Sequence, residues 1–162
     1  GPVATATPRR VVPLHRARDR AKAQPPRLSA MRTAIALLLR QPSLARTLEE
    51  TIVDWSYLLA LPGAALLRKI AEEIAATPDI DTDALLARFN DPGEHKTLVA
   101  LAKWPCLLPE NGIVAEFIGA LTRLNEQARH RRLEELLTKQ KAQGLDHAEL
   151  YLLNALLTDT QR

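Results

Sequence analysis

The chain has 162 residues, one cysteine, 25% charged residues and only 4% aromatics. That length suits one domain with a modest core, or one domain with an appendage. The lone Cys106 excludes an internal disulfide framework and a cysteine-based zinc site, and no apolar run approaches the roughly 20 residues that cross a bilayer.

The net charge of +3 is unevenly spread. Residues 1–28 hold seven basic side chains and one acidic, giving +6; the remainder holds fifteen basic and eighteen acidic, giving −3. The body is therefore slightly acidic, a poor global field for attracting nucleic acid. Leu and Ala dominate the apolar residues. Both lose little on entering a helix, whereas strands favour β-branched and aromatic residues, which are few. The expected fold class is all-α, in a soluble, cytoplasmic setting.

Residues 1–28 combine five prolines with many basic residues and no sustained apolar period. They read as a disordered basic linker, a solvated tether. Gly1-Pro2 has the form of a protease-cleavage scar and is set aside. Ser29 can cap a first helix whose apolar positions Met31, Ile35, Leu38 and Leu39 follow helical spacing, and Pro42 stops it. Ser43 is placed as the cap of a second helix with Leu44, Leu48 and Ile52. A short piece with Trp55, Tyr57 and Leu58 precedes the Pro62-Gly63 turn. Leu66, Leu67, Ile70 and Ile74 then define a helix to about Ala76.

Asp81 or Thr82 can cap a short helix with Leu85, Leu86 and Phe89 inside. Asn90-Asp91-Pro92-Gly93 is a strong turn signal. The next helix carries Leu98, Leu101 and Ala102 and ends near Trp104-Pro105. Pro109 opens a long helix near 110–141. Its first half shows Ile113, Phe117, Leu121, Leu124 and Ala128; Arg129-His130-Arg131-Arg132 interrupts the stripe; Leu133, Leu136 and Leu137 resume it, displaced around the axis. Gly144 suits a left-handed cap, and Asp146 with Glu149 forms a capping box for the last helix. The chain thus divides into a linker at 1–28, a six- to seven-helix bundle at 29–128 and a helical hairpin at 129–162.

The last helix is unusually apolar. Leu150, Tyr151, Leu152, Leu153, Ala155, Leu156 and Leu157 cover most of its circumference, and one partner helix buries only one side. Either the excess meets another protein, or the helix folds back onto the bundle as core. Candidates for chemistry are poor. His15, His95, His130 and His147 are scattered, Cys106 has no histidine near it in sequence, and no Gly-rich phosphate loop is present.

The opening MRTAIALLLRQPSLA (Met31–Ala45), the Pro62-Gly63 turn before a Leu-rich helix, the Leu98–Trp104 helix and the closing leucine-rich hairpin with its Gly-Leu turn together resemble the C-terminal helicase-binding domain of bacterial DNA primase. The order and spacing match across about 28–159. The resemblance implies a helical bundle followed by a hairpin, similar to the N-terminal domain of the hexameric replicative helicase. It implies that the hairpin is the main helicase contact, borne by Leu150, Leu153, Leu156 and Leu157, with Tyr151 beside them. It also implies a bundle surface that receives the acidic C-terminal tail of single-stranded-DNA-binding protein. The matching positions are Arg27, Met31, Arg32, Ile35 and Leu101. Ala100 stands where the family can carry a lysine, and Lys96 and Lys103, on about the same helix face, are placed to compensate.

Such docking would couple primer synthesis to the replication fork within the primosome. Primases of this family make RNA primers with an acidic metal-binding core and a cysteine zinc module. Neither can be placed in this sequence, so the fragment is expected to be catalytically silent, without cofactor or metal, monomeric, and at most a weak direct binder of nucleic acid. The alternative is a helical nucleic-acid-binding module that uses the basic tail and Arg129–Arg132.

Overall fold

The computed structural model describes residues 27–52 and 54–160; nearly all of the linker expected at 1–28 lies outside the described residues. The described residues form eight α-helices, one 3₁₀ turn and no strands. The helices are α1 (Ala30–Arg40), α2 (Ala45–Thr51), α3 (Trp55–Leu58), α4 (Ala64–Ala76), α5 (Thr82–Ala87), α6 (Pro92–Ala102), α7 (Glu110–Ala142) and α8 (His147–Thr160).

Local chemistry sets most of the boundaries. Ser29 Oγ accepts the Arg32 amide at 3.2 Å and starts α1. Asp81 Oδ1 accepts from the Ala84 amide at 2.8 Å, and Asp91 Oδ2 from the Glu94 amide at 2.9 Å, each satisfying an otherwise orphaned helix N–H. Of the two caps the sequence offered for α5, Asp81 takes the role. Thr82 instead donates its hydroxyl to the Leu39 carbonyl at 2.8 Å, tying α5 to the end of α1.

Ser43 is a correction. It sits inside a 3₁₀ turn, Pro42–Leu44, that runs directly into α2, and no side chain caps that junction. Proline at the first position of the turn already supplies helical φ without needing an N–H partner. At the far end, Asp146 and Glu149 exchange two bonds, Glu149 N–H to Asp146 Oδ1 at 2.8 Å and Asp146 N–H to Glu149 Oε1 at 3.1 Å. Gly144, at φ +84°, makes the turn between α7 and α8.

Two apolar clusters organise the molecule. The larger runs from Ala30 to Ala128, with Leu38, Leu39, Leu48, Leu67, Leu98, Phe117 and Leu121 wholly buried. α1 is its axis: residues 34–39 are all buried, and the helix packs on α6 and on the first half of α7. The smaller cluster joins Leu136 on α7 to Leu153 and Leu156 on α8, with Leu133, Leu145 and Leu152 partly covered around them.

α7 is continuous through Arg129–Arg132, the stretch that interrupts the apolar stripe. The stripe shifts around the helix because the first half faces the bundle and the second half faces α8. Leu137 is a second correction. Predicted to share the hairpin seam with Leu133 and Leu136, it is exposed.

Candidate functional site

α7 and α8 form an antiparallel pair. Lys139 Nζ donates to Glu149 Oε2 at 2.6 Å near the turn, and Arg129 pairs with Asp159 at the other end. Leu136, Leu153 and Leu156 lie between these two links and are 1%, 4% and 5% exposed. Of the five residues that the resemblance assigned to the helicase contact, Leu153 and Leu156 are therefore consumed by the hairpin's own seam. Their side chains face α7, not solvent.

Leu150, Leu157 and Tyr151 remain open, at 38%, 39% and 79% exposure, and Leu137 joins them at 37%. Their placement follows from helix geometry. Leu137 is one step past Leu136, Leu157 one step past Leu156 and Leu150 one step past the half-buried Glu149. One step is a turn of about 100°. In an antiparallel pair of right-handed helices, one step beyond the seam turns both helices' side chains to the same side of the pair. Leu137, Leu150 and Leu157 thus form one apolar face, while Tyr151 lies on the outer side of α8. Sequence reasoning missed Leu137 because spacing alone does not say which flank of a stripe the partner helix covers.

Charge around this face is balanced locally. His130 Nε2 lies 3.0 Å from Glu134, and Arg131 and Arg132 each lie 3.5 Å from Glu135. Glu149 is held below the ordinary carboxylate range, first by the hydrogen bond from Lys139 and then by the Asp146 backbone amide.

The residues assigned to the acidic-tail surface divide differently. Met31, Ile35 and Leu101 are 9%, 3% and 5% exposed and belong to the main core, with Met31 seated against Gly63. Arg27, Arg32, Lys96 and Lys103 are exposed. The apolar dent expected at Met31 and Ile35 is therefore filled by the protein's own packing, while the cations stand in solvent. The open concavity lies on the next face of α1. A groove of about 650 Å³ runs between Ala30, Thr33, Leu37 and Arg40 on one side and the 104–108 loop on the other, with Arg27, Glu116 and Arg123 on its rim. Cys106 is a half-buried wall of this groove.

Among the described residues no group of three or more His, Cys, Asp and Glu side chains is placed to hold a metal ion. Nor is any helix there long and apolar enough to cross a membrane.

The described residues thus form an all-helical bundle with a projecting, partly apolar hairpin. The chain belongs to the family described as DNA primase DnaG DnaB-binding, whose model matches residues 31–156. It is 32% identical over 132 residues to the DNA primase of Haemophilus influenzae, covering 82% of this chain and 22% of that protein. It is 28% identical over 129 residues to the DNA primase of Escherichia coli K12, covering 78% and 22%. The solved C-terminal domain of DnaG primase from Vibrio cholerae superposes with a TM-score of 0.68 at 28% identity, over 80% of this chain and 96% of that one. The chain spans about a fifth of the length of the curated relatives it matches, so it corresponds to one part of a DNA primase.

Proposed function

We propose that this domain docks a DNA primase onto the hexameric replicative helicase through the hairpin face formed by Leu137, Leu150 and Leu157, with Tyr151 at its edge. The observation that carries this reading is the exposure of these four large side chains on a two-helix element whose own seam holds only three buried leucines. A fully buried Leu is worth roughly 2 kcal/mol. Each of these leucines is already about three-fifths covered, so a partner gains about 0.8 kcal/mol from each. Together with Tyr151 the face supplies roughly 3–4 kcal/mol, about a few hundredfold in affinity.

The test compares two double variants in a helicase pull-down and by calorimetry. Leu150→Asp with Leu157→Asp should abolish binding while the helicity and melting of the bundle stay unchanged. Leu153→Ala with Leu156→Ala should instead loosen the hairpin itself, seen as faster amide exchange in α8. Unchanged helicase affinity in the first pair would remove the reading.

The finer expectation is that the bundle also receives the acidic tail of single-stranded-DNA-binding protein. Arg27, Arg32, Lys96 and Lys103 support it as exposed cations around Met31, Ile35 and Leu101. Docking there requires Met31 to swing aside, which its unbranched side chain permits. A chemical-shift footprint of the tail peptide on Met31 and Leu101 tests it; silence at both positions argues against it.

The nucleic-acid alternative is weakened by the ion pairs of Arg129–Arg132. Each of these four side chains faces a carboxylate, so the cluster presents little free positive field.

A further inference from the structure

The flank of α7 that holds Leu137 carries more than the exposed leucine. Glu126, His130, Leu133 and Leu137 follow i, i+4, i+7, i+11, the spacing that keeps side chains on one side of a helix. Towards the open end of the hairpin this flank sinks into a hollow of about 350 Å³. Leu133 and Leu156 line it together with Glu126, Arg129, His130 and Asp159. His130 stands seven residues before Leu137, so the hollow lies about 10 Å along the axis from that leucine.

The charges around the hollow do not cancel. Arg129 pairs with Asp159, and His130 Nε2 lies 3.0 Å from Glu134 on its own helix. Glu126 is exposed and, among the described residues, has no hydrogen bond or ion pair. One carboxylate is therefore left without a counter-charge beside two leucines, Leu133 half-buried and Leu156 5% exposed. The hollow also sits at the C-terminal end of α8, where the last carbonyls lack helical partners and present partial negative charge. Both features favour a cation. An apolar floor beside a carboxylate fits a long side chain with an aliphatic stem and a charged head.

We propose, resting on the hairpin docking described above, that this hollow receives an arginine side chain of the helicase. Its methylenes would lie on Leu133 and Leu156, and its guanidinium would donate to Glu126 and to the Asp159 carboxylate. A planar fork with five donors serves two carboxylates at once, which a lysine ammonium does less well. The occupied hollow would also fix the register of docking, since the arginine must stand about two helical turns from whatever covers Leu137.

The experiment measures association and dissociation of the full 162-residue chain with the cognate hexameric helicase at two salt concentrations. Glu126→Gln should weaken binding about tenfold, mainly through faster dissociation, and flatten its salt dependence. Glu126→Lys should weaken it further, and one arginine-to-glutamate change on the helicase should restore binding to that variant. Helicity and melting should match the parent chain, because Glu126 is exposed and unpaired. Leu150→Asp with Leu157→Asp is the control. If that pair abolishes binding while Glu126→Gln binds like the parent, the arginine site is overturned and the docking face stands. If the leucine pair binds normally, both fall. Tighter binding of Glu126→Lys would put an anion in the hollow and overturn the proposal. A change confined to the association rate would make Glu126 a steering charge on the rim, with the same consequence.

Discussion

The bundle and the hairpin use the same residues to different ends. In the bundle, leucines on eight elements converge on one cluster, and α1 is covered from several sides. In the hairpin, α8 packs chiefly on the second half of α7 and buries only Leu153 and Leu156 against Leu136. Most helical leucines of the bundle are buried, whereas in the hairpin a leucine is core or exposed surface according to a 100° turn of the helix. The hairpin derives its order from being an extension of α7, whose first half is anchored by Phe117, Leu121 and Leu124. A two-helix element of this size is a poor independent fold, and part of its apolar surface stays exposed.

Removing side chains sharpens that contrast. Phe117→Ala, at a wholly buried position, should cost about 3–5 kcal/mol and lower the denaturation midpoint of the whole domain. Leu136→Ala should cost roughly 2–3 kcal/mol but act locally. Exchange of the α8 amides should accelerate while those of α1 stay protected. If both substitutions unfolded the molecule in one step with equal loss, the hairpin and bundle would be a single cooperative unit and the distinction would fall.

A smaller effect separates the two turns. Gly63 takes φ +89°, and an added Cβ would sit 2.8 Å from Met31 Cγ. Gly144 takes φ +84° with open space around it. Both alanine variants carry the left-handed backbone penalty of about 1 kcal/mol, but only Gly63→Ala must also displace a core side chain. Thermal melts should therefore rank Gly63→Ala below Gly144→Ala; equal melting would mean that Met31 yields freely.

The smallest effect is with pH. The Lys139 bond holds Glu149 below its ordinary carboxylate value, so its stabilising contribution is complete above that value. It fades as pH falls through the lowered value. Exchange of the α8 N-terminal amides should quicken in that acidic window, with no counterpart in Glu149→Gln. The same acid sensitivity in the variant would assign the effect elsewhere.

Much of this was legible in the chain because it depends on local rules. Leu and Ala content announced an all-helical fold, and Ser29 and Asp81 cap the helices where a short oxygen-bearing side chain precedes an apolar period, while Asp91, legible only as part of a turn, caps the helix that follows it. The Asp146–Glu149 box needs only i, i+3 spacing. Ser43 misled because a proline-led 3₁₀ turn satisfied the same junction by backbone alone. The groove was hidden because its walls come from residues 27–40, 104–108 and 116–123, which no periodicity connects. Leu107-Leu108 between two prolines was the one sequence signal that pointed there.

The sequence by itself determined the element type, most of the turns and several caps, the surplus of leucine in the last helix and the family, since each is written in composition, short spacings or ordered motifs. Tertiary structure decided which leucines the molecule keeps for itself. Leu153 and Leu156 close the seam and Leu137 is turned out, because burial depends on where a neighbouring helix lies, and adjacent residues on one helix point about 100° apart.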